Sequence, residues 1–207
     1  MKKIKHQTNT LGGTTMSVKD VTKEILYMSV NGLSTTVGDG ISDELKKILN
    51  YDSILPKHTP SACLDYKNRY FEGTETAPII IEAVSKAIDS AGVVLPIGTL
   101  LLHGGSWWGK DLKSVVTNRP LSTTIDPCVA FYFMTAKKNE ERGRRDIMVM
   151  NVNECGIKAF PYNRRVRRSN EQEILLQSDI KLSIAKDSFI KTDLMEFHLT
   201  LIDVSLP

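Results

Sequence analysis

The sequence predicts an α+β fold, with helices first and a sheet after them. Three features point that way. Up to about residue 95 the apolar residues recur at three- and four-residue spacing. Beyond it they gather into short runs and alternations, and a single capped helix interrupts those strands.

The elements follow in order. Residues 18–31 form a helix with Val18, Val21, Ile25 and Leu26 on one face and Gly32 as its stop. A second helix is expected over 43–50: Ser42 caps it, Asp43 and Glu44 favour its positive end, and Leu45, Ile48 and Leu49 point inward. The stretch "LPKHTPSACLDYKNRYFEGTETAP" reads as a loop whose aromatics pack against other elements. A third helix opens at Pro78, carries its stripe on Ile80, Val84, Ala87, Ile88 and Ala91, and ends at Gly92.

From there the period changes. Thr99–Leu102 is a short apolar run, read as a buried strand, and more strands are expected at "IMVMNV", "EILLQ", "KLSIA" and "FHLTLIDVSL". The interrupting helix has Asp126 as its cap, Pro127 at its first position, and Ala130 and Phe133 on one face. The 207 residues suit one domain over 18–207, with a helical lobe over 18–95 and a sheet core over 96–207. Residues 1–17 read as a flexible leader, because the lysines near the start are not followed by the apolar stretch of a secretory signal.

Composition narrows the function classes. Apolar residues make up 41% and charged residues 25%, ordinary for a globular chain. No apolar run reaches about 18 residues, so no membrane span is expected. Cys63, Cys128 and Cys155 are odd in number and far apart, with neither CxxC nor Cys/His ligand spacing. A metal site and a disulfide framework are therefore not expected, and the cysteine usage fits a reducing cytoplasm. Charge is uneven: residues 137–168 hold ten basic and four acidic residues, a net of +6 against +3 for the whole chain. Such a stretch suits an anionic partner.

Three short motifs carry candidate chemistry. In "NEQEILL", Glu171 and Glu173 are two apart, so a regular strand directs both carboxylates to one side and Gln172 to the other. In "TLLLHGG", His103 follows an apolar strand, and Gly104 and Gly105 allow a ligand or another backbone to come close. In "RPLSTTID", Ser122, Thr123 and Thr124 place short hydroxyls in a turn before the capped helix. Taken singly, each also suits a solvated strand start, a satisfied strand-end histidine or an ordinary turn.

Together, and in this order, the three motifs resemble the ADP-ribosyltransferase family. The resemblance covers roughly residues 75–205 and is strongest at "LSTTIDPCVAFYF" and "NEQEILL". It implies a mixed β-sheet core and an enzyme that uses NAD as co-substrate, without a metal, to pass ADP-ribose to an acceptor. By that resemblance Glu173 is the catalytic glutamate, Glu171 orients or deprotonates the acceptor, and Ser122 positions Glu173. His103 and Gly104 hold the adenosine ribose and the nicotinamide amide, Ser122 and Thr123 also bind NAD, and Phe133 stacks on nicotinamide. The toxin-like branch has arginine where this chain has His103, and serine where it has Thr124. Arg119 is the candidate replacement cation.

The acceptor is expected to be nucleic acid or protein. The "FPYNRRVRRSN" loop presents Arg164, Arg165, Arg167 and Arg168 for phosphates and Tyr162 for stacking on a base. The expected settings are a toxin, a defence protein or a phage host-modifying enzyme, with a neutralising antitoxin as partner if it is a toxin. Two other classes remain open: an RNA 2′-phosphotransferase-like enzyme, and a non-catalytic RNA- or protein-binding module on the same fold.

Overall fold

The computed structural model describes residues 16–32, 35–72, 76–107, 109, 111–136, 143–162 and 172–207. Glu171, Trp108, the arginines at 164, 165, 167 and 168, and most of the expected leader lie outside the described residues. Among those described there are six helices and nine strands; five helices come first, as the sequence pattern suggests, and one helix interrupts the strands that follow.

The helical part comprises α1 (Val18–Asn31), α2 (Thr35–Leu49), α3 (Tyr51–Ile54), α4 (Ser61–Glu72) and α5 (Pro78–Ala91). Helix α1 begins with a reciprocal cap: Ser17 Oγ accepts from Asp20 N, and the Asp20 carboxylate accepts from Ser17 N. Such a cap contributes about 1 kcal/mol. Helix α5 starts on Pro78 and stops at Gly92, as its sequence indicates.

Two helices differ from expectation. Helix α2 starts eight residues before the expected Asp43, running through Gly38 and Gly40. A Cβ at Gly38 would lie 2.7 Å from the Cys128 sulfur, so a larger residue there would have to displace that side chain. Ser42 is consequently an interior residue of α2 and caps nothing. The segment read as a loop contains α4, whose Cys63, Tyr66 and Lys67 fall on one buried face. Flanking prolines and polar residues hid its period.

The strands are β1 (Val93–Val94), β2 (Leu100–Gly105), β3 (Ser114–Val116), β4 (Leu121–Thr124), β5 (Asp146–Val152), β6 (Lys158–Pro161), β7 (Glu173–Leu176), β8 (Lys181–Lys191) and β9 (Glu196–Ser205). Helix α6 (Pro127–Met134) lies between β4 and β5, and Asp126 Oδ1 accepts from Cys128 N at its start. The sheet runs β1-β6-β7-β4-β2-β5-β9-β8-β3, mostly antiparallel, with β5 and β9 parallel. Thus the Ser-Thr-Thr segment is a strand, not a turn.

One core joins the lobe to the sheet: Val21, Ile25 and Met28 of α1 and Leu45 of α2 belong to the same buried cluster as Leu101, Ile147, Met150 and Ile202. Trp107 is part of it. A second cluster lies between α4, α5 and the β6–β7 end of the sheet, built from Cys63, Tyr66, Val84, Ile88, Phe160, Tyr162 and Leu175. No helix among the described residues is long and apolar enough to cross a membrane.

Candidate functional site

The three motifs converge because β4 pairs with both β2 and β7. Leu102 is opposite Thr124, and Thr124 is opposite Glu173, with Ser122 opposite Leu175. Alternation then puts Ser122, Thr124 and Glu173 on one face of the sheet. The Ser122 hydroxyl donates to Glu173 Oε1 at 2.7 Å. His103 Nδ1 lies 2.7 Å from the Ser122 carbonyl oxygen, which only accepts, so Nδ1 carries the proton in this contact.

These residues line an open cleft of about 360 Å³ (solvent at its mouth included). His103 and Gly104 come from β2, Ser122 to Thr124 from β4, Val129, Ala130 and Phe133 from α6, and Glu173 from β7. Helix α6 packs directly on β2 at Gly104. A Cβ there would stand 1.7 Å from the Ala130 carbonyl oxygen, so α6 can sit against β2 only because residue 104 is glycine. The Thr123 hydroxyl is spent within the sheet, donating to the Ile174 carbonyl at 2.6 Å.

Glu173 has a second partner that the sequence did not suggest. Lys67 of α4 places Nζ 2.6 Å from Oε2, with side-chain exposures of 3% for the lysine and 12% for the glutamate. The same ammonium lies 4.8 Å from the centre of the Tyr162 ring. Burying an ammonium is costly unless it is paired, and here the pairing group is the candidate glutamate itself. Cys63, Tyr66 and Lys67, at helical i, i+3 and i+4 spacing, were the signal available in the sequence.

Burial and the negative charge of Glu173 together push the Cys63 thiol up to about 12, so it is neutral and unreactive at ordinary pH. The Tyr162 phenol is likewise raised, first by burial and then by Glu173.

Several expectations need correcting. Tyr162 is not an exposed stacking residue: it is 1% exposed, and its hydroxyl donates to the Cys63 carbonyl at 2.7 Å. Its ring is held in the second core cluster, with no face left for a base. Arg119 does not line the cleft, and among the described residues the cation paired with Glu173 is Lys67. The strand does not run regularly back through "EQE". Gln172 has φ +47°, in the left-handed region, and Ser42 Oγ donates to its side-chain oxygen at 2.8 Å. Regular alternation therefore stops at Glu173. Among the described residues no cluster of His, Cys, Asp and Glu is arranged to hold a metal ion.

No protein-family model matches the chain. Among curated proteins, a queuine tRNA-ribosyltransferase of Helicobacter pylori is 25% identical over 118 residues, 53% of this chain. The chain spans only 30% of that relative's length. Among solved structures, Plx2a, an ADP-ribosyltransferase toxin from Paenibacillus larvae, superposes with a TM-score of 0.55 at 13% identity, covering 86% of this chain and 98% of the toxin. BECa, the ADP-ribosylating toxin of a binary enterotoxin of C. perfringens solved with NADH, gives 0.54 at 13% identity, covering 85% of this chain and 50% of BECa. At that identity the two likenesses establish a shared fold.

Proposed function

We propose that this chain, which has the ADP-ribosyltransferase fold, is an NAD-dependent mono-ADP-ribosyltransferase acting as one domain over residues 18–207. The observation that carries the proposal is the Ser122–Glu173 hydrogen bond of 2.7 Å at the wall of a cleft that His103 and Gly104 also line. Departure of nicotinamide leaves positive charge on the ribose. A carboxylate already fixed at the cleft wall stabilises that charge more than it stabilises the ground state, and it needs no reorganisation as the charge develops.

In this mechanism Glu173 faces the reacting ribose and accepts a hydrogen bond from one of its hydroxyls. Ser122 keeps the carboxylate in place. His103 and Gly104 bind the adenosine ribose and the nicotinamide amide, and Phe133, half-buried on α6, stacks on the nicotinamide. Glu171 serves the incoming nucleophile.

The acceptor is a macromolecule. The net of +6 over residues 137–168 supports nucleic acid, and a protein acceptor is the second reading. Labelled NAD in a cell lysate tests both, with wild type beside Glu173→Gln. Label should depend on Glu173, and turnover should drop by at least about two orders of magnitude in the variant. Loss of label on nuclease treatment identifies a nucleic-acid acceptor, and loss on protease treatment a protein. Near-normal turnover by Glu173→Gln, or no nicotinamide release by the wild type, would sink the proposal.

A further inference from the structure

Lys67 reaches the Glu173 carboxylate from outside the cleft. Its ammonium is 2.6 Å from Oε2, while the Ser122 hydroxyl holds Oε1 at 2.7 Å, so each carboxylate oxygen has its own donor, one from α4 and one from β4. Glu173 lines the cleft and Lys67 does not. Helix α4 is tied at two more points to this end of the sheet, beside β4 and beside β6, the neighbour of β7. The Tyr66 hydroxyl donates to the Pro120 carbonyl, just before β4, at 2.9 Å, and the Tyr162 hydroxyl, just after β6, donates to the Cys63 carbonyl. The lysine therefore hangs from a helix held in register with the strands that carry Ser122 and Glu173.

We propose that Lys67 is a positioning residue for Glu173, fixing from behind the cleft the plane in which the carboxylate meets the ribose; the proposal rests on the transferase reaction above. The last torsion of a glutamate is broad, and one hydroxyl on one oxygen leaves the other free to swing. A donor on each oxygen removes that freedom. Charge and position make opposite demands here. The ammonium offsets part of the carboxylate's negative field, so on charge alone its removal would raise turnover. Misplacement of a catalytic group by about 1 Å costs on the order of a hundredfold, so on position its removal lowers turnover. Position prevails because the ammonium is buried away from the cleft while the carboxylate still faces it.

Nicotinamide release from NAD is compared for wild type, Lys67→Met, Lys67→Arg, Glu173→Gln and the Lys67→Met/Glu173→Gln double variant, with thermal unfolding followed for each. Methionine keeps most of the apolar stem and removes the charge. Lys67→Met should lower kcat by about ten- to a hundredfold while KM for NAD moves by less than about threefold. Lys67→Arg should recover part of the loss, and Lys67→Met should do nothing further once Glu173 is Gln. A merely structural lysine would lower stability and residual turnover in both backgrounds alike. That result, or an unchanged or raised kcat in folded Lys67→Met, would overturn the assignment. If Lys67→Met fails to fold, Lys67→Gln carries the same comparison. A wild type that releases no nicotinamide overturns the transferase reading and this role with it, whereas an active wild type matched by Lys67→Met overturns the role alone.

Discussion

Ser122 and Glu173 are 51 residues apart in the chain, yet the hydroxyl of one donates to the carboxylate of the other at 2.7 Å, diagonally across the β4–β7 ladder. Ser122 is directly opposite Leu175, so the contact depends on antiparallel register. A slip of one residue would turn Glu173 to the opposite face.

Ser122→Ala leaves Lys67 holding Oε2 and takes the hydroxyl donor away from Oε1. A tenfold or greater fall in the kcat for nicotinamide release is expected, with a smaller change in KM, since the hydroxyl acts through Glu173. Steady-state kinetics in the absence of acceptor measure this, and an unaltered kcat would remove Ser122 from the mechanism.

Gly104→Ala puts a methyl group where the Ala130 carbonyl stands, so α6 must move away from β2. A loss of about 3 kcal/mol is expected, or a fall in Tm of about 6–12 °C. NAD binding should weaken as well, because Phe133 moves with α6. A variant with wild-type Tm would show that the helix and strand are less tightly apposed than the geometry requires.

Asp146 is fully buried at the start of β5. Its carboxylate accepts from Arg144, from the Thr200 hydroxyl at 3.0 Å and from Trp107 N at 2.8 Å. Asp146→Ala leaves Arg144 without its shorter ion pair and the Trp107 amide without this acceptor. It should cost about 3–5 kcal/mol in chemical denaturation and shift tryptophan emission to the red as Trp107 becomes wetter. Unchanged emission would mean that the segment after β2 is held by other contacts.

Alkaline pH should destabilise the fold partly through Cys63. Its thiol is pushed up to about 12 in the folded chain, against an ordinary 9.0. Between those values the unfolded chain has lost the proton and the folded chain keeps it, so stability present below pH 9 is lost as pH rises, at up to about 1.4 kcal/mol per pH unit. Cys63→Ala should shift stability at neutral pH by a fixed amount and decline less steeply above pH 9. Tyr162, also raised, adds its own decline in both proteins. Urea unfolding at pH 7, 9 and 10.5 makes the comparison, and parallel slopes would rule out the thiol as a contributor.

The legible parts of the fold are those whose instructions are local. Helix α1 has its apolar face and Gly32, α5 has Pro78 and Gly92, and α6 has Asp126 and Pro127, each within one helix length. Strands β5, β7 and β9 are apolar enough to be read from a few residues. β1, β3, β4 and β6 are only two to four residues long, too short to display a period, and β4 passed for a turn. Helix α4 was missed because half its meaning lies in what it packs on.

The same division holds at the site. The sequence alone determined that helices come first and the sheet after them, and it supplied His103, Ser122 and Glu173 in separate segments. Their convergence was inferred from a family likeness, while the register of β2, β4 and β7 shows it directly. Tertiary structure alone decided that Lys67 meets Glu173 across 106 residues of chain, that Tyr162 is buried beneath α4, and that Gln172 turns the backbone just before the glutamate. Helical and strand periods are set by neighbouring residues, so they can be read along the chain. A buried ion pair exists only once packing has excluded water from both partners, and no single segment carries that information.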